Sequence, residues 1–302
     1  MNDTSYRAVG IALALFGAAL FSLKGVTAKL IYVYRADAVT LLALRMLFSV
    51  PFFLLAATWS GRSSAAAPLS RRDLWLIIVL GLLGYYLSSF LDFLGLLYIS
   101  ATLERLTLYL FPTLVLLLSV IFLKARARGV DVAAIALSYA GIALVFLSAG
   151  KLAGSNLPLG AALVFGSAIA YAIYLVAGTE VIKRVGSIRF TAYAMTVSSI
   201  ASIVQFIALR PLDALVLPLA AYGWFAVLAL FNTVLPVFMI GEALKRIGAT
   251  RFAVIGAIGP LTTMAADWAV LGEALNSAQI FGAALVLAGV LLVTLKSQSM
   301  RV

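Results

Sequence analysis

The chain has no cysteine and no histidine, and only 11% of its 302 residues are charged. Without cysteine there are no disulfides and no thiolate chemistry. Without histidine there is no imidazole to shuttle protons near neutral pH. A zinc site built from neither residue type would be anomalous, so no metal site is expected. There is no Gly-Lys-Ser/Thr phosphate cradle and no carboxylate pair at catalytic spacing on one helix face. The composition therefore argues against an enzyme and calls for no cofactor, and ATP-driven work would need a nucleotide-binding domain that these residues do not supply.

The scarcity of charge has a counterpart in hydrophobic content, which reaches 64%. Soluble chains carry roughly 25% charged residues, and several apolar runs here match the roughly 20 residues that cross a bilayer as a helix. The expected architecture is an all-α polytopic membrane protein. Its ten spans are read near residues 8–28, 38–59, 74–97, 102–123, 130–148, 157–178, 188–209, 219–241, 250–272 and 278–296. The first run is too long for a secretory leader and is read as a retained span.

The net charge is +11. With the amino terminus in the cytoplasm, fifteen of the 22 Lys and Arg residues fall on the inner side. Five fall outside (Lys29, Arg35, Arg105, Lys151 and Arg210), and Lys24 and Arg45 lie within spans. By the positive-inside rule both termini are cytoplasmic. The basic balance then reports topology, and nucleic acid is not an expected partner.

The chain repeats itself. Ser100-Ala101-Thr102 matches Gly248-Ala249-Thr250, Pro112 matches Pro260 and Gly141 matches Gly289, all 148 residues apart. Phe16-Gly17 matches Phe165-Gly166, and Ala43 and Met46 match Ala192 and Met195, at 149. The two units are residues 1–150 and 151–302, with Gly150–Pro158 as the linker. Five spans is an odd number, so the copies enter the membrane in opposite orientations, and a binding site is expected where they meet near the midplane. Pro112 and Pro260 would each kink a helix, either as packing features or as paired hinges.

Gly248-Ala249-Thr250, an apolar helix with Pro260, Leu271-Gly272-Glu273, and Gln279 through Gly289 together resemble the EamA repeat of the drug/metabolite transporter superfamily. The resemblance covers nearly the whole chain as two five-span repeats. Within the superfamily the chain is similar to the YddG-type amino-acid exporters of bacterial inner membranes. It implies ten helices around a central cavity and export of small metabolites, here aromatic and other neutral amino acids. The family's acid after span 9 is Glu273, whereas the first repeat has Ala125 in that place.

An amino acid needs a cation for its carboxylate, an anion or carbonyls for its ammonium, and apolar or aromatic walls. Ionisable residues inside a membrane are candidates by default. Lys24, Arg45 and Asp92 lie at similar depth, and each can be a structural ion pair or a substrate contact. Tyr85, Ser88, Ser89 and Asp92 recur at i, i+3, i+4 and i+7, one helix face, with Tyr86 beside it. Asn232 and Thr233 fall at the repeat-equivalent of Gly84 and Tyr85 and are expected on the opposite wall. Tyr171 and Tyr174 stand one turn apart at mid-span, where cavity lining and packing are both open. Asp267 is read as a hydrogen-bonded carboxylate or a proton site. The expected function is secondary transport by alternating access. A carrier of another metabolite, such as a sugar phosphate or nucleotide sugar, and a non-transporting scaffold are the alternatives.

Overall fold

The structure is a computed structural model. It describes residues 3–61, 69–108, 155–256, 258–272 and 277–298, with scattered positions between 110 and 147. Among these residues all regular structure is helical. Six stretches are long and apolar enough to cross a bilayer: Ser5–Tyr32, Ala38–Ser60, Arg71–Leu96, Leu157–Val185, Ser187–Leu209 and Leu219–Ala249. The shorter apolar helices Leu261–Leu271 and Ile280–Gly289 follow. The chain is thus a multi-pass membrane protein. Most of the fourth and fifth expected spans, with Pro112 and Ala125, lie outside the described residues, as does Glu273.

Helices α1 (Asp3–Ser22) and α2 (Lys24–Tyr32) form the first crossing, broken at Leu23. Helix α3 is Ala38–Gly61. The third crossing is α4 (Arg71–Gly81), a π-helical turn over Leu82–Leu87, and α5 (Ser88–Leu96). Helix α6 is Ala101–Leu108. In the second half, α7 (Leu157–Val185) and α8 (Ser187–Leu209) are joined by Gly186 alone. Its φ of 88° is open to glycine and costly for other residues. Next come α9 (Leu219–Ala229), a π turn over Leu230–Val234, and α10 (Leu235–Ile255). The last crossings are α11 (Ile258–Ala266), a π turn over Asp267–Leu271, and α12 (Ser277–Gln298).

Local chemistry sets the helix starts. Ser70 accepts from the Asp73 N–H at 3.0 Å and donates to its carboxylate at 2.7 Å, a capping pair that opens α4. Asn156 caps α7 through the Leu159 N–H, with Pro158 just inside the first turn. Asp37 caps α3 by accepting from the Val39 and Thr40 N–H groups at 2.8 and 3.2 Å.

The apolar helix expected through 250–272 is divided. The backbone of α10 leaves helical geometry at Gly248, with φ 76°. A turn at Gly256 then precedes α11. Pro260 is therefore the third residue of a new helix and not the middle of a long one. In a first turn its missing N–H disrupts no helical bond. The two π turns at Leu82–Leu87 and Leu230–Val234 occupy repeat-equivalent positions, and the sequence reading did not foresee either. Pro236 follows the second and leaves the Asn232 carbonyl without its helical donor. No proline follows the first.

The broadest helix contacts are α3 with α8, α1 with α10, and α5 with α7. Each joins a helix of the first half to one of the second. The buried core is correspondingly continuous across both halves. One face of the bundle gathers Tyr6, Asp73, Arg184, Ser187, Glu242 and Arg246. Arg184 bonds Asp73 at 2.7 Å, Ser187 bonds Glu242, and Arg246 stacks on Tyr6 at 4.5 Å. The other face carries the Arg210–Asp37 pair at 3.0 Å. Each end is therefore fastened by an ion pair between the halves.

Candidate transport site

The break at Leu23 creates the centre of the site. A helix interrupted inside a bilayer exposes carbonyls that lipid cannot satisfy, and here three distant side chains bond the carbonyls beside the break, of which Leu20 O also accepts from the Leu23 N–H at 3.3 Å. The Asn232 amide donates to Leu20 O at 2.8 Å, Arg105 Nη2 donates to Ser22 O at 2.8 Å and to Phe21 O at 3.3 Å, and Thr263 donates to Ser22 O at 3.0 Å. Asn232 also accepts from Thr27 at 3.0 Å, and so clamps both sides of the break. Thr233 caps its own π turn by donating to Leu228 O five residues back.

Lys24, the first residue after the break, is 4% exposed and reaches the fully buried Asp92 at 2.6 Å. Its ammonium lies 4.8 Å from the Phe21 ring centre and 5.8 Å from that of Phe93. Glu104, fully buried, stands beside Arg105 with 3.8 Å between Oε2 and Nε. Arg45, 1% exposed, lies over Phe93 at 5.2 Å, and none of its three nitrogens has a hydrogen-bond partner among the described residues. Of the two buried bases read at the depth of Asp92, Lys24 makes the ion pair and Arg45 does not come within ion-pair distance of that carboxylate. Asp267 accepts a hydrogen bond from Thr102.

A cavity with room for a few water-sized spheres, about 40 Å³, lies against this cluster. The first half supplies Ala18, Phe21, Ser22, Lys24, Gly84, Ser88, Ser89, Arg105, Leu108 and Phe111 to its wall, and the second half supplies Ser167, Tyr171, Ile240, Phe252 and Gly256. The hollow therefore sits on the seam between the halves.

Of the nine substrate-contact candidates, the wall includes Lys24, Ser89 and Tyr171. Asp92 supports it from behind Lys24. Tyr174 donates to Tyr85 at 3.1 Å and their rings meet edge to face at 4.8 Å, behind the wall. The π turn explains this placement: Tyr85 lies inside it, so the 3.6-residue face that would align Tyr85 with Ser88, Ser89 and Asp92 is rotated. Tyr86 is half-buried and off the wall. Asn232 and Thr233 serve the backbone and do not form the opposite wall. Sequence reasoning missed Arg105, which it counted as an outer flanking base. The adjacent Glu104-Arg105 pair inside an apolar stretch was the available signal. It had no means of finding Phe21, Phe111 and Phe252 among the chain's 18 phenylalanines.

Two halves meeting at a charged hollow agree with the comparison to known proteins. The EamA-like transporter family matches residues 8–147 and again 158–295. The chain belongs to this family. As such it is a membrane transporter within the drug/metabolite transporter superfamily. An uncharacterized transporter of Bacillus subtilis (strain 168), YcbK, is 32% identical over 286 residues, 91% of this chain and 89% of that protein. A second from the same organism, YyaM, is 29% identical over 71% of each chain. One from Archaeoglobus fulgidus is 28% identical over 74% of this chain and 79% of its own. A crystal structure 19% identical in sequence superposes with a TM-score of 0.70 over 98% of this chain and 99% of that one, a likeness of fold.

Proposed function

We propose that this family member is a secondary transporter that exports amino acids, aromatic and other neutral ones, across the bacterial inner membrane by alternating access. The cavity on the seam, with a buried lysine at its wall and a carboxylate holding that lysine in place, carries this reading. Phe21, Phe111, Tyr171 and Phe252 offer an apolar and aromatic surround, which with the lysine supplies the carboxylate partner and the walls of an amino-acid site. The hollow holds only a few waters, so a bound amino acid requires the halves to move apart, as alternating access demands. Lys24 and Arg105 are the only charged wall residues described, too sparse a set for the several charges of a sugar phosphate.

In this proposal the ten spans form two inverted five-helix repeats, with substrate contacts drawn from Lys24, Ser89 and Tyr171 at the wall and supported by Asp92, Tyr85 and Tyr174 behind it. Both termini are cytoplasmic, and Pro112 and Pro260 act as hinges. The helix pairing fits two halves related by a two-fold axis, and the odd number of spans per half sets that axis in the membrane plane. Numbering crossings within each half, the first pairs with the third of the other half, the second with the second and the third with the first. That set is unchanged when the halves are exchanged, as a two-fold axis between them requires. The test is flux of labelled neutral amino acids from proteoliposomes containing the purified protein. Flux above empty vesicles, reduced by unlabelled phenylalanine, is expected. Failure across a broad amino-acid panel would remove the cargo assignment.

A further inference from the structure

On that transport reading, we infer that the cavity holds its cargo by a carboxylate alone, through Lys24 and Arg105, and accepts small organic acids with an apolar or aromatic body whether or not they carry an ammonium group. The charged side chains in the described wall are both basic. The acids of the cluster, Asp92 and Glu104, are fully buried and absent from that wall. Each stands behind a base: Asp92 at 2.6 Å from Lys24 Nζ and Glu104 at 3.8 Å from Arg105 Nε. Each pair therefore has its base in the described wall and its acid outside it, an arrangement fixed before any cargo arrives.

Glu104 is held in its place. A methyl group on Gly25 would come within 2.9 Å of its Oε2, so the carboxylate lies directly on the α2 backbone. Arg105 is 5% exposed and its Nη2 is committed to the Phe21 and Ser22 carbonyls. Its Nε has no hydrogen-bond partner among the described residues. Nε is the nitrogen nearest Glu104, so it is engaged by the charge of that carboxylate.

An ammonium finds no acid in the described wall, only neutral oxygens such as the Ser89 and Tyr171 hydroxyls. Ser22 O already accepts from both Arg105 and Thr263. The Ser22 hydroxyl is given to Ala18 O, and those of Ser88 and Ser167 are bonded to each other. An amine without a carboxylate would meet two cations and no free acceptor of opposite charge. An acid without an amine would lose no ion pair that the described wall provides.

The test is equilibrium binding to the purified full chain in lipid nanodiscs, with L-phenylalanine, 3-phenylpropanoate and phenethylamine as probes. The acid is expected to bind within about tenfold of phenylalanine, and the amine at least about a hundredfold more weakly. Arg105→Gln should weaken acid binding by about tenfold or more, and Arg105→Lys should restore part of it. Amine binding as tight as that of the acid would overturn the inference. So would binding of phenylalanine without the acid, which would leave the amino-acid reading standing. Binding of the acid without phenylalanine would uphold the carboxylate grip and remove the amino-acid cargo. If none of the three binds, the inference fails, and the flux assay alone then decides the cargo. The wild-type ligand panel needs no variant to fold.

Discussion

Lys24 and Asp92 illustrate why a single buried charge is costlier than a buried pair. Removing one partner strands the other in a medium that solvates it poorly, at about 3–5 kcal/mol, whereas replacing both with apolar groups is near neutral. Lys24→Gln should therefore lower the melting temperature of the detergent-purified protein clearly. Lys24→Met combined with Asp92→Leu should recover most of that loss while leaving flux abolished. Recovery of flux along with stability would reduce the pair to a packing element. Asp37 behaves differently because it lies outside the spans. Burial pushes its carboxyl up, but hydrogen bonds from Arg210, from the Thr40 side chain and backbone and from the Val39 backbone outweigh burial and hold it below the usual carboxylate range. A depressed value means the native state favours the ionised form, so the stabilisation is complete above the unfolded carboxylate value of about 3.9. It is lost as pH falls through the lower native value. Melting curves of wild type and Asp37→Asn should differ at neutral pH and converge in acid. A constant gap across that range would show that Asp37 stabilises the fold without its charge.

At the level of helices, the distinction between what was legible and what was not follows from the range of the interactions. Hydropathy runs and repeat spacing are local, and they located the six long crossings described, including α8 to within a residue. The breaks depend on partners far along the chain. Leu23 is neither proline nor glycine, and the break in its helix is accommodated by Asn232, Arg105 and Thr263, from three other segments, which bond the carbonyls beside it. Nothing near Leu23 in sequence records this. Lys24 and Asp92 stood out because ionisable residues in apolar runs are rare, whereas Asn232 looked like a wall residue because its backbone partner is 212 positions away. The π turn at Leu82–Leu87 is similarly tertiary. A methyl group on Gly84 would come within 2.4 Å of the Tyr174 Cβ and ring, so this turn seats α7 against the third crossing. Gly84→Ala should destabilise the protein by about 1–3 kcal/mol through overpacking, and Tyr174→Ala should relieve part of it. Gly223, in α9 with open space where its Cβ would be, is the control: Gly223→Ala should be neutral or stabilising by up to about 1 kcal/mol. Equal losses at the two glycines would refute the seating of Gly84 on Tyr174.

Across the whole molecule, charge and connectivity bear on the same axis. Helix α8 has 23 residues, about 35 Å at 1.5 Å per residue, enough to cross a hydrocarbon core of about 30 Å. Its start lies beside Arg184 and Glu242, and its end leads through Arg210 to the short helical turn Leu212–Leu215. Ser70, next to the Asp73–Arg184 pair, and Leu212 are therefore at opposite ends of the bundle. The basic loops cluster with Ser70, so that end should face the cytoplasm. Because the chain contains no cysteine, single replacements report without background. A membrane-impermeant maleimide should label Leu212→Cys in intact cells and Ser70→Cys only after the membrane is opened. The same experiment on residues near each terminus should give the Ser70 pattern at both. Labelling of the two termini from different sides would mean an odd number of crossings, and two five-span copies inserted in opposite senses would then be impossible.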